Sequence, residues 1–343
     1  EALVKAVRDD SSPHYTAPIG NEELKELIAE KLERQNNLHV DPSRNILITP
    51  GSDSGLYFAI LPFINDGDEV MIPSPSYPNN YLDVETMGGK VVPIVLSDKD
   101  GYQLDVDQMR EKLNSKTKMV LLTHPNNPTT TVYNRESLEK LRDFVVDNDL
   151  ILVVDQAFED FTYDNEMITP ASMDGMFERT VTVFSFSKGM GLSGLRVGYI
   201  VTDDHIMDTM FANAVGVIGA TSTSSQKAII EAMKHPEFMK IFEDAYEYRR
   251  HKAFEILNSI PNVSCELPQS GFLCWVDVSK LGKSSDIVSY LVKEAKVSVN
   301  DGINYGEGGK GHLRIVLGVY KDNSRVVDAL VRIKEALTKY QGL

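Results

Sequence analysis

The sequence predicts an α/β protein of two domains: a large one built on a mostly parallel sheet flanked by helices, and a smaller C-terminal α/β domain. Three observations carry this. The 343 residues exceed what one hydrophobic core usually serves. Short β-branched runs alternate with helix-length segments, and the runs are apolar at successive positions, as in strands covered on both faces. From about His235 the pattern changes to longer helices and fewer strands, which divides the chain into 1–245 and 246–343.

Taken in order, Asn21 precedes Glu22 and Glu23, and Leu24, Leu27, Ile28 and Leu32 follow at helical spacing. This predicts an N-capped amphipathic helix with acidic residues at its positive end. Strands are predicted at Asn45–Thr49, Glu69–Ile72, Val91–Val95, Met119–Thr123, Ile151–Val154, Thr180–Phe184 and Val197–Val201. The smaller domain begins with a long helix through Leu257. A strand around Phe272–Val278, a helix after Ser284, a strand at His312–Leu317 and a final helix from Asn323 complete it. The stretch Asn300–Gly311 is rich in glycine and polar residues and is expected to be a mobile loop before the strand that carries Arg314.

Composition narrows the function. Hydrophobic residues make up 42% and charged ones 25%, as in ordinary globular proteins. The formal charge of −15 is spread through helical segments, and Lys and Arg form no block suited to a phosphate backbone, so nucleic acid is not an expected partner. Cys265 and Cys274 lack metal-ligand spacing and read as core packing; no metal site is expected. No apolar run approaches the roughly 18 residues of a membrane helix, and no signal peptide is visible, which makes a cytoplasmic protein without membrane partners the expectation. The chain starts at Glu1 inside a patterned region, so a further N-terminal segment is also expected.

In a mostly parallel sheet ligands bind beyond the carboxyl ends of the strands. Three polar motifs lie there: His124–Thr131, Asp155–Asp160 and Ser185–Arg196. A lysine just past a buried strand, as Lys188 is in Ser185-Phe186-Ser187-Lys188, is partly desolvated. Loss of solvation favours the neutral amine, which can attack an aldehyde to form a Schiff base. Taken alone, Lys188 reads foremost as a solvated loop lysine. Ser185, Ser187 and Arg196 would supply hydroxyls and a guanidinium to a phosphate. Asp155 ends the run Ile151-Leu152-Val153-Val154, where an unpaired carboxylate is expensive and a pyridinium nitrogen is a suitable partner; a helix-capping aspartate is the plainer alternative. The prolines of His124-Pro125-Asn126-Asn127-Pro128-Thr129 fix a turn that projects an asparagine amide. Gly51-Ser52-Asp53-Ser54 marks a strand-to-helix junction whose free N–H groups suit a phosphate.

The ordered set Tyr15-x4-Gly20, Gly51-Ser52-Asp53, Pro75-Ser76-Tyr77, Asn127-Pro128-Thr129, Asp155-Gln156-Ala157, Ser185-x-Ser187-Lys188, Arg196 and Arg314 resembles class I/II pyridoxal-phosphate aminotransferases over nearly the whole chain. The resemblance implies the fold-type-I architecture and pyridoxal 5′-phosphate as cofactor, with Lys188 as Schiff-base lysine and proton shuttle. It implies that Asp155 pairs with the pyridine nitrogen, that Asn127 faces the ring oxygen and that Tyr77 stacks on the ring. Ser52, Asp53, Ser185, Ser187 and Arg196 would hold the phosphate, and Arg314 would clamp the substrate α-carboxylate. The Gly-Ser-Asp form is similar to the histidinol-phosphate aminotransferase branch. Tyr15 matches a tyrosine that reaches the cofactor of the neighbouring subunit, which implies a homodimer with shared active sites. The implied substrates are an amino acid and a 2-oxo acid, exchanged in a ping-pong sequence.

Three positions depart from the family pattern. Phe158 stands where a tyrosine usually donates to the ring oxygen, Thr130 where glycine commonly follows Asn-Pro-Thr, and Asn300-Asp301-Gly302 where a Pro-Gly pair is common. Losing one phenolate donor should raise the pH at which the lysine-bound cofactor titrates. Two other readings share the motifs: a lyase using the same cofactor cradle, and an aminotransferase-like sensing domain of a transcriptional regulator.

Overall fold

Each β-branched run read from the sequence forms a strand in the computed structural model, which describes residues 1–8 and 12–342. Helices α1 (Ala2–Arg8) and α2 (Glu22–Asn36) precede β1 (Ile46–Thr49). Then follow α3 (Ser52–Ile60), β2 (Glu69–Ser74), α4 (Pro78–Thr86), β3 (Lys90–Val95), α5 (Val106–Lys112), β4 (Thr117–Thr123) and α6 (Arg135–Asp147). Strands β5 (Ile151–Asp155), β6 (Thr180–Ser185) and β7 (Gly198–Val201) come next, before α7 (Asp204–Ile218) and α8 (Thr223–Lys234). The expected cap of α2 is present: Asn21 Oδ1 accepts the Leu24 amide at 3.2 Å. Leu24, Ile28 and Leu32 on its inner face are fully buried.

The seven strands form one sheet in the order β1-β7-β6-β5-β4-β2-β3. Strands β3, β2, β4, β5 and β6 run parallel, whereas β7 is antiparallel to both β6 and β1. Because side chains alternate along a strand, Val120, Leu122, Leu152 and Val154 enter the core on one face, and Met119, Leu121, Val153 and Val183 enter the core on the other. Burial on both faces explains the continuous apolar runs. The carboxyl ends of β4, β5 and β6 thereby lie side by side, and the reversed β7 brings its first residues to the same edge.

The second sheet, β10-β11-β9-β8, is antiparallel and comprises β8 (Ser264–Cys265), β9 (Leu273–Asp277), β10 (Asn300–Asp301) and β11 (His312–Val316). Helices α9 (Met239–Leu257), α10 (Ser284–Tyr290) and α11 (Asn323–Lys339) accompany it. Its core includes Ala253, Leu257, Val276, Leu313, Ile315 and Leu330, together with the buried, unbridged Cys265 and Cys274. The division at 245/246 lies inside α9.

The segment Asn300–Gly311 differs from the expected mobile loop. It forms β10 and two short 3-10 turns and docks on the large sheet. The Ser76 amide donates to Tyr305 O at 2.9 Å, the Tyr81 hydroxyl to the same carbonyl at 2.9 Å, and the Gly308 amide to Ser74 Oγ at 3.1 Å. The glycines serve close approach: at Gly306, φ is +100° and a Cβ would lie 2.7 Å from Ser74 Oγ. No helix of the described residues is long and apolar enough to cross a membrane.

Candidate active site

Three neighbouring strand ends supply the heart of the cavity. Asp155 is the last residue of β5, Asn127 follows β4, and Lys188 follows β6. In register, Asp155 stands between Thr123 of β4 and Val183 of β6. These three side chains share a cavity with Ser52, Asp53, Tyr77, Phe158, Ser187, Arg196 and Arg314.

Asp155 is only 5% exposed. Burial pushes its carboxyl up to about 6, although the Ala157 amide, donating to Oδ1 at 3.2 Å, opposes the shift. No cation among the described residues lies within ion-pair distance of it, and the more distant Lys188 charge only partly offsets its burial. Lys188 is partly buried, and desolvation, followed by the Arg314 charge, lowers its pKa from the ordinary lysine value; Asp155 and Asp53 act the other way. Its Nζ lies 5.5 Å from the Phe158 ring centroid.

Arg314 reaches the cavity from β11. Its Nε donates to Asn127 Oδ1 at 3.0 Å and its Nη1 to Asn300 Oδ1 at 3.1 Å, and its guanidinium lies 5.5 Å from the Tyr305 ring centroid. Both partners are neutral amides, so the guanidinium retains its full charge for an anionic ligand. Asn127, with its oxygen engaged, presents its N–H2 end.

A second group gathers at the N-terminus of α3. Gly51 precedes this helix at φ +86°, no side chain caps it, and a Cβ there would collide with the Arg196 guanidinium. A Cβ on Gly198 would lie 2.8 Å from Ser52 N. The lack of side chains at Gly51 and Gly198 therefore leaves α3 N–H groups beside Arg196, which precedes β7 with φ 52°. Asp53 accepts from the Tyr77 hydroxyl at 3.0 Å, and its Oδ2 lies 3.4 Å from Arg196 Nη2. Burial, followed by Asp53, raises the Tyr77 pKa.

Not every expected residue lines this cavity. Ser185 faces a neighbouring cavity, its hydroxyl accepting the Ser187 amide at 3.1 Å and so shaping the turn before Lys188. Tyr15 is 95% exposed and outside the cavity of its own chain. Conversely, Ser193 and Ala157 line it unannounced; Ser193, between Lys188 and Arg196 in the same turn, could have been found by position alone. Thr130 has φ 67°, the left-handed backbone that explains why glycine is usual there. Its Oγ1 accepts the Gln269 amide at 3.3 Å and its carbonyl the Ser270 hydroxyl at 2.8 Å, contacts that hold the strained residue.

The cradle fits pyridoxal 5′-phosphate: a buried carboxylate without an ion-pair partner for a ring nitrogen, a desolvated lysine for an aldehyde, and an uncapped helix N-terminus beside an arginine for a phosphate. Among the described residues no group of three His, Cys, Asp or Glu side chains could hold a metal ion. Fold and cavity together define a two-domain α/β enzyme of the cofactor-dependent kind. Residues 1–330 match the family model for aminotransferase class I and II, and the chain belongs to that family. It is 34% identical over 318 residues to an aspartate aminotransferase of Pyrococcus abyssi, covering 91% of this chain and 81% of the relative. It is 32% identical to a probable aspartate/prephenate aminotransferase of Aquifex aeolicus, covering 98% of this chain and 86% of the relative. Among solved structures, the aromatic aminotransferase of Pyrococcus horikoshii superposes with a TM-score of 0.94 at 30% identity, over 98% of this chain and 91% of that one. The protein is thus a pyridoxal-phosphate-dependent aminotransferase of fold type I. The similarity of Gly51-Ser52-Asp53 to the histidinol-phosphate branch is not reflected in these relatives.

Proposed function

We propose that amino transfer between an L-amino acid and a 2-oxo acid is carried by Lys188, with Asp155, Asn127 and Arg314 as its immediate partners. The observation that carries this is the meeting, in one cavity, of a lysine whose pKa is lowered and a buried carboxylate with no cation at ion-pair distance. When bound, pyridoxal 5′-phosphate supplies an aldehyde carbon and a conjugated ring that accepts electrons from the substrate α-carbon.

The protein's own groups do the rest. Lys188, as a neutral amine, would hold the aldehyde carbon, and it is the base placed to take a proton at the substrate α-carbon. Asp155 would hold a proton at the ring nitrogen. Asn127 would donate to the ring oxygen, and Tyr77 would cover the ring face. Arg314 grips the α-carboxylate as a fork, with Asn127 and Asn300 fixing its angle. The N–H groups at Ser52 and Asp53, with Ser187 and Arg196, would hold the phosphate, and Ser185 would support that turn.

Tyr15, fully extended into solvent, fits a residue that reaches the cofactor of a second subunit, and a cytoplasmic homodimer with shared sites completes this reading. Lys188→Ala tests its centre: the visible band of the lysine-bound cofactor should vanish, and persistence of that band overturns the assignment. Mixing the loaded enzyme with single amino acids should convert it stoichiometrically to the amino form and stop. Continuous release of ammonia would instead identify a lyase.

A further inference from the structure

The cavity is assembled from two sheets, and one aromatic chain joins them outside it. Tyr102 follows the loop after β3 and has φ 57°, a left-handed backbone that tyrosine rarely adopts. Its amide donates to Ser97 O at 2.8 Å, and its ring is buried in the large-sheet core. The Tyr102 hydroxyl lies 3.2 Å from His312 Nε2 on β11, 210 residues away in sequence. His312 Nδ1 is 2.9 Å from the Lys310 carbonyl. A carbonyl can only accept, so Nδ1 carries the proton and Nε2 accepts from Tyr102.

From His312 the contacts lead straight to Arg314. The imidazole stacks on Trp275 with centroids 4.9 Å apart and planes 4° from parallel. Trp275 is the register partner of Arg314 across β9 and β11, and its ring meets Tyr305 edge-on at 5.9 Å. Arg314 lies over that same Tyr305 ring. His312 and Arg314, two residues apart on β11, share one face of the strand. Trp275 and Tyr305 both belong to the large-sheet core, so this face of the small sheet is seated in it. The loop before Tyr102 is also tied to the Asn127 turn, because Thr131 Oγ1 donates to Gly101 O at 3.3 Å.

We propose that Tyr102 and His312 form a positioning pair between the two sheets, which sets Arg314 against Asn127 and so tunes capture of the substrate α-carboxylate. This rests on the reading of Arg314 as the carboxylate clamp. Neither residue lines the active cavity, so the pair acts through Trp275, Tyr305 and the strand rather than on the ligand.

Holoenzymes carrying Tyr102→Phe, His312→Phe, both changes, His312→Gln or Arg314→Lys test it. The amino donor is whichever of L-aspartate, L-phenylalanine and L-tyrosine reacts fastest with the parent. Tyr102→Phe removes one hydroxyl and should raise KM about 3- to 10-fold, the effect of one neutral hydrogen bond. The kcat should stay within about twofold and the cofactor band should not move. The double variant should be no worse than His312→Phe alone, since both act through one bond. His312→Gln, whose side-chain oxygen still accepts, should recover most of the affinity. An unchanged KM in Tyr102→Phe overturns the proposal, even with a lowered unfolding temperature, as do additive effects in the double variant. Should His312→Phe not fold, Tyr102→Phe decides alone. The clamp reading fails separately, and takes the proposal with it, if Arg314→Lys leaves KM unchanged or no amino donor reacts.

Discussion

Giving Phe158 a hydroxyl should lower the pH at which the lysine-bound cofactor titrates. Phe158 is buried, lines the cavity beside Asp155 and Asn127, and sits 5.5 Å from Lys188 Nζ. Gly271 closes one edge of the ring, since a Cβ there would lie 2.9 Å from it, and Phe272 packs at 5.5 Å. Because Phe158 lines the cavity, the hydroxyl in Phe158→Tyr is expected to face it. On the proposed reading, Asn127 alone would then donate to the ring oxygen in the parent. A second donor stabilises the anionic oxygen and weakens its hold on the proton at the linking nitrogen, so that proton leaves at lower pH. A hydrogen bond to a charged acceptor contributes about 1.5–3 kcal/mol, and one pKa unit corresponds to about 1.36 kcal/mol. The expected decrease is therefore about 1 to 2 units, read for the coupled lysine–cofactor unit. Absorbance of the loaded protein, titrated from acid to alkaline pH with and without the substitution, measures it. An unchanged midpoint would refute the reasoning, as would an upward shift.

Other outcomes follow from the same geometry. Asp155→Asn removes the charge that would hold a proton at the ring nitrogen and should slow the single-turnover half-reaction by about 10²-fold, read by stopped-flow absorbance. Behind the cavity, Lys31 pairs with Glu159, which also accepts from Asn36 and Gln156, all largely buried. Lys31→Met leaves Glu159 uncompensated and should lower unfolding free energy by about 3–5 kcal/mol in urea titrations. Burial, followed by Glu159, pushes Asp160 up from its ordinary 3.8 to about 7. Between those values the folded state keeps a proton that the unfolded chain has released, so this group's stabilising contribution is present at low pH and is lost as pH rises through the window. Asp160→Asn should accordingly reduce the fall in unfolding temperature between pH 5 and pH 8; an unaltered fall would show that Asp160 does not titrate there.

What could be read from the sequence was local. Strands and helices announce themselves by periods of two and 3.6, which belong to the chain itself. Residues at strand ends, among them Asp155, Asn127 and Lys188, were visible because the apolar run stops there. Gly51 was legible as a helix start. Ser185 was read as a phosphate ligand, and its hydroxyl also accepts the Ser187 amide, because a hydroxyl two residues from an amide can turn back on its own chain, which sequence spacing does not disclose. The glycines of Asn300–Gly311 were read as mobility, whereas they permit close backbone contact with Ser74, whose place beside them depends on how the sheets meet.

By itself, then, the sequence determined the α/β class, the edges of most strands and helices, and which residue types crowd the strand ends. Tertiary structure alone decided that β7 runs backwards between β6 and β1, which brings Arg196 to the start of α3. It alone joined Arg314 to Asn127, Lys31 to Glu159 and Tyr102 to His312, partners 187, 128 and 210 residues apart. No periodicity encodes such pairs, because they depend on strand order and on the seating of one sheet against another, and those are settled by the whole core at once.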